Sequence, residues 1–208
     1  MKVIERKLFE AGISPIAGVD EAGRGACAGP LVVASVILKD PFDPVLAPIR
    51  DSKELTESVR EKLFDLIHEH ALAISVLEIS VEEVDSRGVH AANLDGMRRA
   101  VQGLEIEPHY VLTDGYEIDG LGVPALAVWK GDQVVISISA ASIIAKVSRD
   151  RAMRDLDLKY PGYGFARHKG YITSAHTIAL HALGPCPDHR RSFSNISELI
   201  NSPRLSTH

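Results

Sequence analysis

The chain has 208 residues, 45% hydrophobic and 25% charged, which suits one globular core and rules out wholesale disorder. Its two cysteines, Cys27 and Cys186, are far apart and outside any CxxC pattern, which excludes a disulfide framework and zinc-type spacing. The net charge of −5 hides an asymmetry: Lys146 to Arg191 carries nine Lys/Arg against four Asp/Glu, a basic third that fits phosphate binding at one surface or plain solvated helix faces.

The opening twelve residues are charged throughout and are no signal peptide. No run reaches the roughly 18 apolar residues of a membrane span. The expected compartment is the reducing cytoplasm. Val3 to Ala11 reads as a short amphipathic helix, broken at Ser14-Pro15. Ile16 to Val19 is the first strand, with Asp20-Glu21 expected where it ends. Ala22 to Gly29 holds small residues and glycines, which permit positive φ and close backbone approach to a ligand. Leu31 to Leu38 is apolar and β-branched, a buried strand. Pro41, Pro44 and Pro48 mark a loop leading to Arg50-Asp51-Ser52-Lys53.

Thr56 is a candidate N-cap for a helix reaching His70. Ala73 to Ile79 is a strand. Ser80 with Glu83 has the capping-box pattern and opens a short helix stopped near Gly88. Ala91 to Leu104 has helical spacing. Tyr110 to Thr113 is a strand ending in Asp114-Gly115, and Ala125 to Val128 is another, followed by Trp129-Lys130-Gly131-Asp132. Ser137 to Leu158 is a long helix, Thr173 to Leu183 a shorter one ended by Gly184-Pro185, and Ile196 to Ile200 a last short one. Strands alternating with helices, then a helical end, indicate an α/β domain with a mixed sheet. The expected division is one domain over 1–193 and a short tail over 194–208.

Asp20-Glu21, Asp114 and Asp132 each follow an apolar run. Strands that end on the same side of one sheet would bring these carboxylates together. Such a set, with no His or Cys, offers hard oxygen ligands suited to Mg²⁺ or Mn²⁺ and supports two-metal phosphodiester hydrolysis. The plain alternative is that each Asp caps a turn. Gly23-Arg24-Gly25 reads as a backbone cradle for phosphate, with Arg24 free to pair with Glu21 instead. No GK[ST] follows and the next element is a strand, so neither a P-loop nor a dinucleotide fingerprint fits.

Val19 to Leu31 (VDEAGRGACAGPL) resembles the opening signature of the type 2 ribonucleases H, the ribonuclease HII family. The resemblance continues through DSKEL at Asp51–Leu55, DG at Asp114-Gly115, KGD at Lys130–Asp132 and ISAASIIAKVSRD at Ile138–Asp150. YPGYGF at Tyr160–Phe165, HKGY at His168–Tyr171 and HRRSF at His189–Phe193 complete it. It implies a ribonuclease-H-like fold, a mixed five-stranded sheet flanked by helices with a helical C-terminal extension. It implies an endonuclease that cuts the RNA strand of RNA–DNA hybrids and single ribonucleotides in duplex DNA, leaving 3′-hydroxyl and 5′-phosphate ends. The four metal-binding acids map to Asp20, Glu21, Asp114 and Asp132, with Asp150 a competitor for the fourth place. Gly23, Arg24 and Gly25 map to the contact with the ribonucleotide's 2′-OH and its phosphate. Tyr171 maps to the tyrosine that stacks on the next sugar, and Lys53, Lys146 and Lys169 to phosphate-backbone contacts. A monomer is expected. A non-catalytic hybrid-binding module is the alternative; its sign would be a missing acid, and all four are present.

Overall fold

The computed structural model describes residues 3–201; of the expected tail, residues 202–208 lie outside the described residues. In chain order the elements are α1 (Val3–Glu10), β1 (Ile16–Ala22), β2 (Leu31–Leu38), α2 (Glu57–His70), β3 (Ala71–Ile79), α3 (Val81–Arg87) and α4 (Val89–Gln102). Then come β4 (Tyr110–Asp114), β5 (Ala125–Val128), α5 (Gly131–Val134), α6 (Ile136–Lys159), α7 (Phe165–His168), α8 (Ser174–Leu183) and α9 (Ser194–Asn201). The strands form one sheet in the order β3-β2-β1-β4-β5. The β3-β2-β1 side is antiparallel and the β1-β4-β5 side parallel, so the sheet is mixed as expected.

Every residue of β2 is buried, because helices cover both faces of the sheet centre. On one face α6 packs Ile136, Ala140 and Ile144 against Ala34, Val36 and Leu38 of β2. On the other, Met97 and Ala100 of α4 pack against Ala17 and Val19 of β1. Gly18 sets the approach of α6. A methyl group there would lie 2.1 Å from the carbonyl carbon of Ser137, so only glycine lets the helix come this close to β1. The start of α6 has no side-chain cap of its own. Fully buried Glu5 of α1 supplies one, accepting from the Ile136 N–H at 3.0 Å and from the Ser137 hydroxyl. A carboxylate at a helix N-terminus is favoured by the orphan N–H groups and the helix dipole.

Thr56 caps α2 and Ser80 caps α3, both as the sequence indicates. The Ser80 box is only half formed. Glu83 turns its carboxylate to Arg87 and Arg99, because two guanidiniums reach it across the α3–α4 corner. The first strand differs more. It runs on to Ala22, since antiparallel pairing with β2 persists to Ala22–Val32 while parallel pairing with β4 stops at Val19–Thr113. Asp20 and Glu21 therefore sit inside a strand, at the point where its two neighbours diverge.

Candidate active site

Asp20 and Asp114 occupy the next register beyond Val19–Thr113, side by side on the α6 face. Asp132 reaches the same place from α5, just after β5. Carboxylate oxygens of Asp20, Asp114 and Asp132 all lie within 4.8 Å of one another. Glu21 is not in that trio. Successive side chains of a strand point to opposite faces, so it leaves β1 on the α4 side. There it meets Asn93 and the charge of Arg24, with its Oε2 buried and unpaired, and it still borders the cleft of Asp20 and Asp114, whose charge it feels.

The acids are held for ionisation at a cost. Burial first, then the charges of Glu21 and Asp114, push Asp20 well above the usual carboxylate range. Burial and Asp114 push Glu21 up to about 7. Burial and Asp132 raise Asp114, although its Oδ1 accepts from the Gly131 N–H at 2.7 Å. A trio of close carboxylates, two buried and Asp114 half-buried, with only partial cationic compensation is an arrangement that a divalent cation with oxygen preference completes.

The three lysines separate. Lys53 donates to Asp132 Oδ2 at 2.7 Å. Burial would lower its pKa, but Asp132, Asp51 and Asp20 outweigh that and raise it. Lys146 lines the cleft and pairs with Asp150 at 2.7 Å. Lys169 is buried in a left-handed turn at φ +52° and does not line the cleft. Asp150 stands apart from the acid trio, paired with Lys146 and with Arg60 at 3.6 Å. Its chain neighbours Arg149 and Arg151 go elsewhere, to backbone carbonyls and to Glu61.

Asp20, Glu21 and Asp114 open into a cleft of about 380 Å³, also lined by Gly23, Arg24, Gly25, Ser142 and Tyr171, while buried Asp132 stands behind it on Lys53. Against this geometry the family model described as Ribonuclease HII matches residues 17–196. A ribonuclease HII of Mycobacterium avium is 56% identical over 201 residues, 97% of this chain and 87% of the relative. Ribonuclease H2 from Pyrococcus horikoshii superposes with a TM-score of 0.77 at 30% identity, over 88% of this chain and 96% of that one. The ribonuclease HII of Archaeoglobus fulgidus, solved in a complex with PCNA, gives 0.76 at 26% identity, over 91% and 98%.

The chain belongs to the ribonuclease HII family.

As a ribonuclease HII it is a metal-dependent endoribonuclease acting on RNA in RNA–DNA hybrids, and its mixed sheet is the ribonuclease-H-like fold. Two fully buried arginines shape the substrate side of this ribonuclease HII, and among the described residues both spend their guanidiniums on backbone carbonyls. Arg149 donates to the carbonyls of Ala28, Pro30 and Lys169 at 2.9–3.1 Å and lies 5.5 Å from the Tyr171 ring. Arg190 donates to Gly29 and, at 3.1 Å, to the carbonyl of Arg24. Together they tie the glycine turn to the Lys169–Tyr171 loop. Gly170 allows the contact, since a methyl there would lie 2.3 Å from the Ala28 oxygen. The Arg24 side chain lies 5.2 Å from the Tyr116 ring and faces Glu21 without a close ion pair.

Three histidines back the same loop. The sequence shows no catalytic histidine pair, and none of His168, His176 and His189 lines the cleft. They were not legible as a group, because only the fold brings residues from α7, α8 and the segment before α9 together.

The basic third also reads differently once folded. Arg151 and Arg154 pair with Glu57 and Glu61 of α2, Lys159 with Asp188, and Lys146 with Asp150, while Arg149 and Arg190 are buried on carbonyls. Much of the excess positive charge is thus spent on internal contacts. Among the described residues no helix is long and apolar enough to cross a membrane.

Proposed function

We propose that this chain cuts on the 5′ side of ribonucleotides, in the RNA strand of hybrids and at single ribonucleotides embedded in duplex DNA. The observation that carries this is the Asp20–Asp114–Asp132 trio beside a cleft that Asp20, Glu21 and Asp114 share with Gly23-Arg24-Gly25 and Tyr171. Asp20, Asp114 and Asp132, with Glu21 from the opposite face of β1, are the proposed ligands of Mg²⁺ or Mn²⁺. Hard oxygen donors without His or Cys suit those ions. Bound there, two such ions would supply activation of water for in-line attack and charge stabilisation at the leaving oxygen.

The chain's own groups do the rest. The glycine turn, held by Arg149 and Arg190, offers backbone groups to the 2′-OH, the feature that separates RNA from DNA locally. Arg24 contacts the adjoining phosphate through charge-assisted hydrogen bonds. Tyr171, 40% exposed, packs on the following sugar. Lys53 and Lys146 stand at the cleft for the phosphate backbone. The 2′-OH is a recognition handle here, so the products are a 3′-hydroxyl and a 5′-phosphate. A monomer working in the cytoplasm, opening ribonucleotide removal from DNA, completes the reading.

The test is cleavage of duplex DNA carrying one ribonucleotide, in Mg²⁺, in Mn²⁺ and in EDTA, beside an all-DNA duplex and an Asp20→Asn variant. Metal-dependent cutting 5′ of the ribonucleotide, absent from both controls, is the expected result. Cutting of the all-DNA duplex, or cutting of long hybrids alone, would overturn the single-ribonucleotide reading.

A further inference from the structure

Trp129 is the chain's only tryptophan, and 81% of its surface is exposed. Nothing in the site described above uses it. Single exposed apolar side chains are common and need no explanation. This one differs in what supports it. It joins β5 to the turn that delivers Asp132, and the backbone on both sides is fixed. The Gly115 N–H donates to the Val128 carbonyl at 3.0 Å, and the Gly131 N–H donates to Asp114 Oδ1 at 2.7 Å. The Gln133 N–H closes the turn on the Lys130 carbonyl at 3.0 Å. Lys130 is held left-handed at φ +52°, a conformation that non-glycine residues adopt only when their surroundings impose it. The indole is therefore presented outward from a rigid base next to two of the acids.

The sheet order locates it further. Adjacent strands are spaced by about 4.8 Å, so the root of Trp129, one residue past β5, lies one strand from Asp114 and two, about 10 Å, from Asp20. The glycine turn and the loop carrying Tyr171 lie the other way, where β1 leads into β2. A strand laid across the acids then meets Tyr171 and Arg24 on one flank and Trp129 and exposed Lys130 on the other. Aromatic faces backed by cations are the usual means of holding sugars, bases and phosphates without reading sequence. A protein partner fits less well, since one indole beside a four-residue edge strand is far below the roughly 1,000 Å² of a stable interface.

We propose that Trp129 and Lys130 form a second nucleic-acid contact, the indole packing on sugar and base edges of the duplex and Lys130 on a phosphate, on the side of the acids opposite Tyr171. The inference rests on the function proposed above. It assigns Trp129 to binding and not to chemistry, so its loss changes KM and leaves kcat in place.

The intact chain supplies its own probe. Tryptophan emission is titrated with a duplex carrying one ribonucleotide in EDTA, beside the anisotropy of the labelled duplex, and steady-state cleavage is measured in Mg²⁺. The expected result is a saturable emission change with the midpoint of the anisotropy curve. Trp129→Ala then raises KM by about 5- to 20-fold with kcat within twofold, and Trp129→Phe restores most of the loss. Anisotropy that saturates with unchanged emission, together with an unchanged KM in Trp129→Ala, would overturn the contact and leave the proposed function standing. A fall in kcat without a change in KM would also overturn it, placing Trp129 with the Asp132 turn. A wild-type chain that neither binds nor cuts the duplex would remove the function and this inference together.

Discussion

His176 and His189 meet nitrogen to nitrogen, with their Nε2 atoms 3.0 Å apart in the interior. The surrounding bonds fix both tautomers. His189 Nδ1 accepts from the Cys186 N–H at 2.9 Å, so its proton is on Nε2 and is donated to His176. His176 accepts it there and uses its own Nδ1–H on the Tyr171 carbonyl at 3.0 Å. The chain of bonds ends on the residue proposed to hold the substrate's sugar. His168 stacks on His176, accepts from the Gly170 N–H and donates to the Tyr163 carbonyl. The Nε2–Nε2 bond and the Cys186 N–H bond to His189 hold together only while His176 and His189 are both neutral.

That has a consequence for stability against pH. Burial, then His176 and His168, lower the pKa of His189 to about 4, although Asp188 and the Cys186 backbone oppose them; an unfolded histidine titrates near 6.5. Between those values the unfolded chain binds the proton and the folded one does not. Stability from this group is complete above pH about 6.5 and falls away as the pH drops toward 4, by up to roughly 3 kcal/mol. Urea midpoints from pH 7.5 to 4.5 should show this slope, and it should flatten in His189→Gln. An equal slope in both proteins would separate the acid sensitivity from this histidine.

Arg190 makes a different kind of support. Its guanidinium satisfies the Gly29 and Arg24 carbonyls, and buried carbonyls left without partners cost about 1–3 kcal/mol each. Arg190→Met should therefore lose about 3 kcal/mol of stability by urea unfolding. Below its melting range it should still cleave at least tenfold less well, because Arg24 and the glycine turn lose their anchor. Arg190→Lys should rescue little, since an ammonium cannot reproduce the planar fork. Full activity in Arg190→Lys would mean that charge alone matters there.

The elements were legible in the sequence because strands and helices are written in local pattern. Leu31–Leu38 is one apolar run, and Thr56 and Ser80 stand where caps belong. The acid positions were legible through motif as much as through spacing. Pattern places Asp20 and Glu21 together, whereas strand alternation sends them to opposite faces. What stayed hidden depends on contacts across the chain. Glu5 caps a helix 131 residues away, Arg190 reaches back 166 residues to Arg24, and Glu57 and Glu61 cancel arginines 97 and 93 residues on. Composition records such charges but not which of them meet, so the basic third looked freer than it is.

Gly18 tests how closely α6 must approach β1. An added methyl group would collide with the Ser137 carbonyl carbon at 2.1 Å and the Ile138 nitrogen at 2.3 Å, both backbone atoms that cannot rotate away. Gly18→Ala should lose about 3 kcal/mol, the upper end of overpacking costs. The same displacement moves Ser142 and the Asp132 turn relative to Asp20, so cleavage should fall even where circular dichroism shows a folded chain. Wild-type melting and activity in Gly18→Ala would mean the helix has room to spare.

The last prediction separates the stability of the acid site from its use. Burial and the neighbouring carboxylates raise the pKa of Asp20, which means that the fold disfavours its charge at neutral pH. Asp20→Asn removes that charge while keeping the size of the side chain. In EDTA the variant should be more stable than the wild type, by about 1 kcal/mol. Added Mg²⁺ or Mn²⁺ should reverse the order. A ligand that binds only the folded state stabilises it by about 2.7 kcal/mol at a hundredfold excess over its dissociation constant. The wild type should gain most of that, and the variant, short of one carboxylate of the trio, much less. Cleavage should be lost in the variant in either metal. Thermal melts of both proteins, with EDTA and with each ion, check all three expectations. If Asp20→Asn were the less stable protein without metal, Asp20 would owe its place to hydrogen bonds from Ser142 and the Glu21 N–H, and not to a cation.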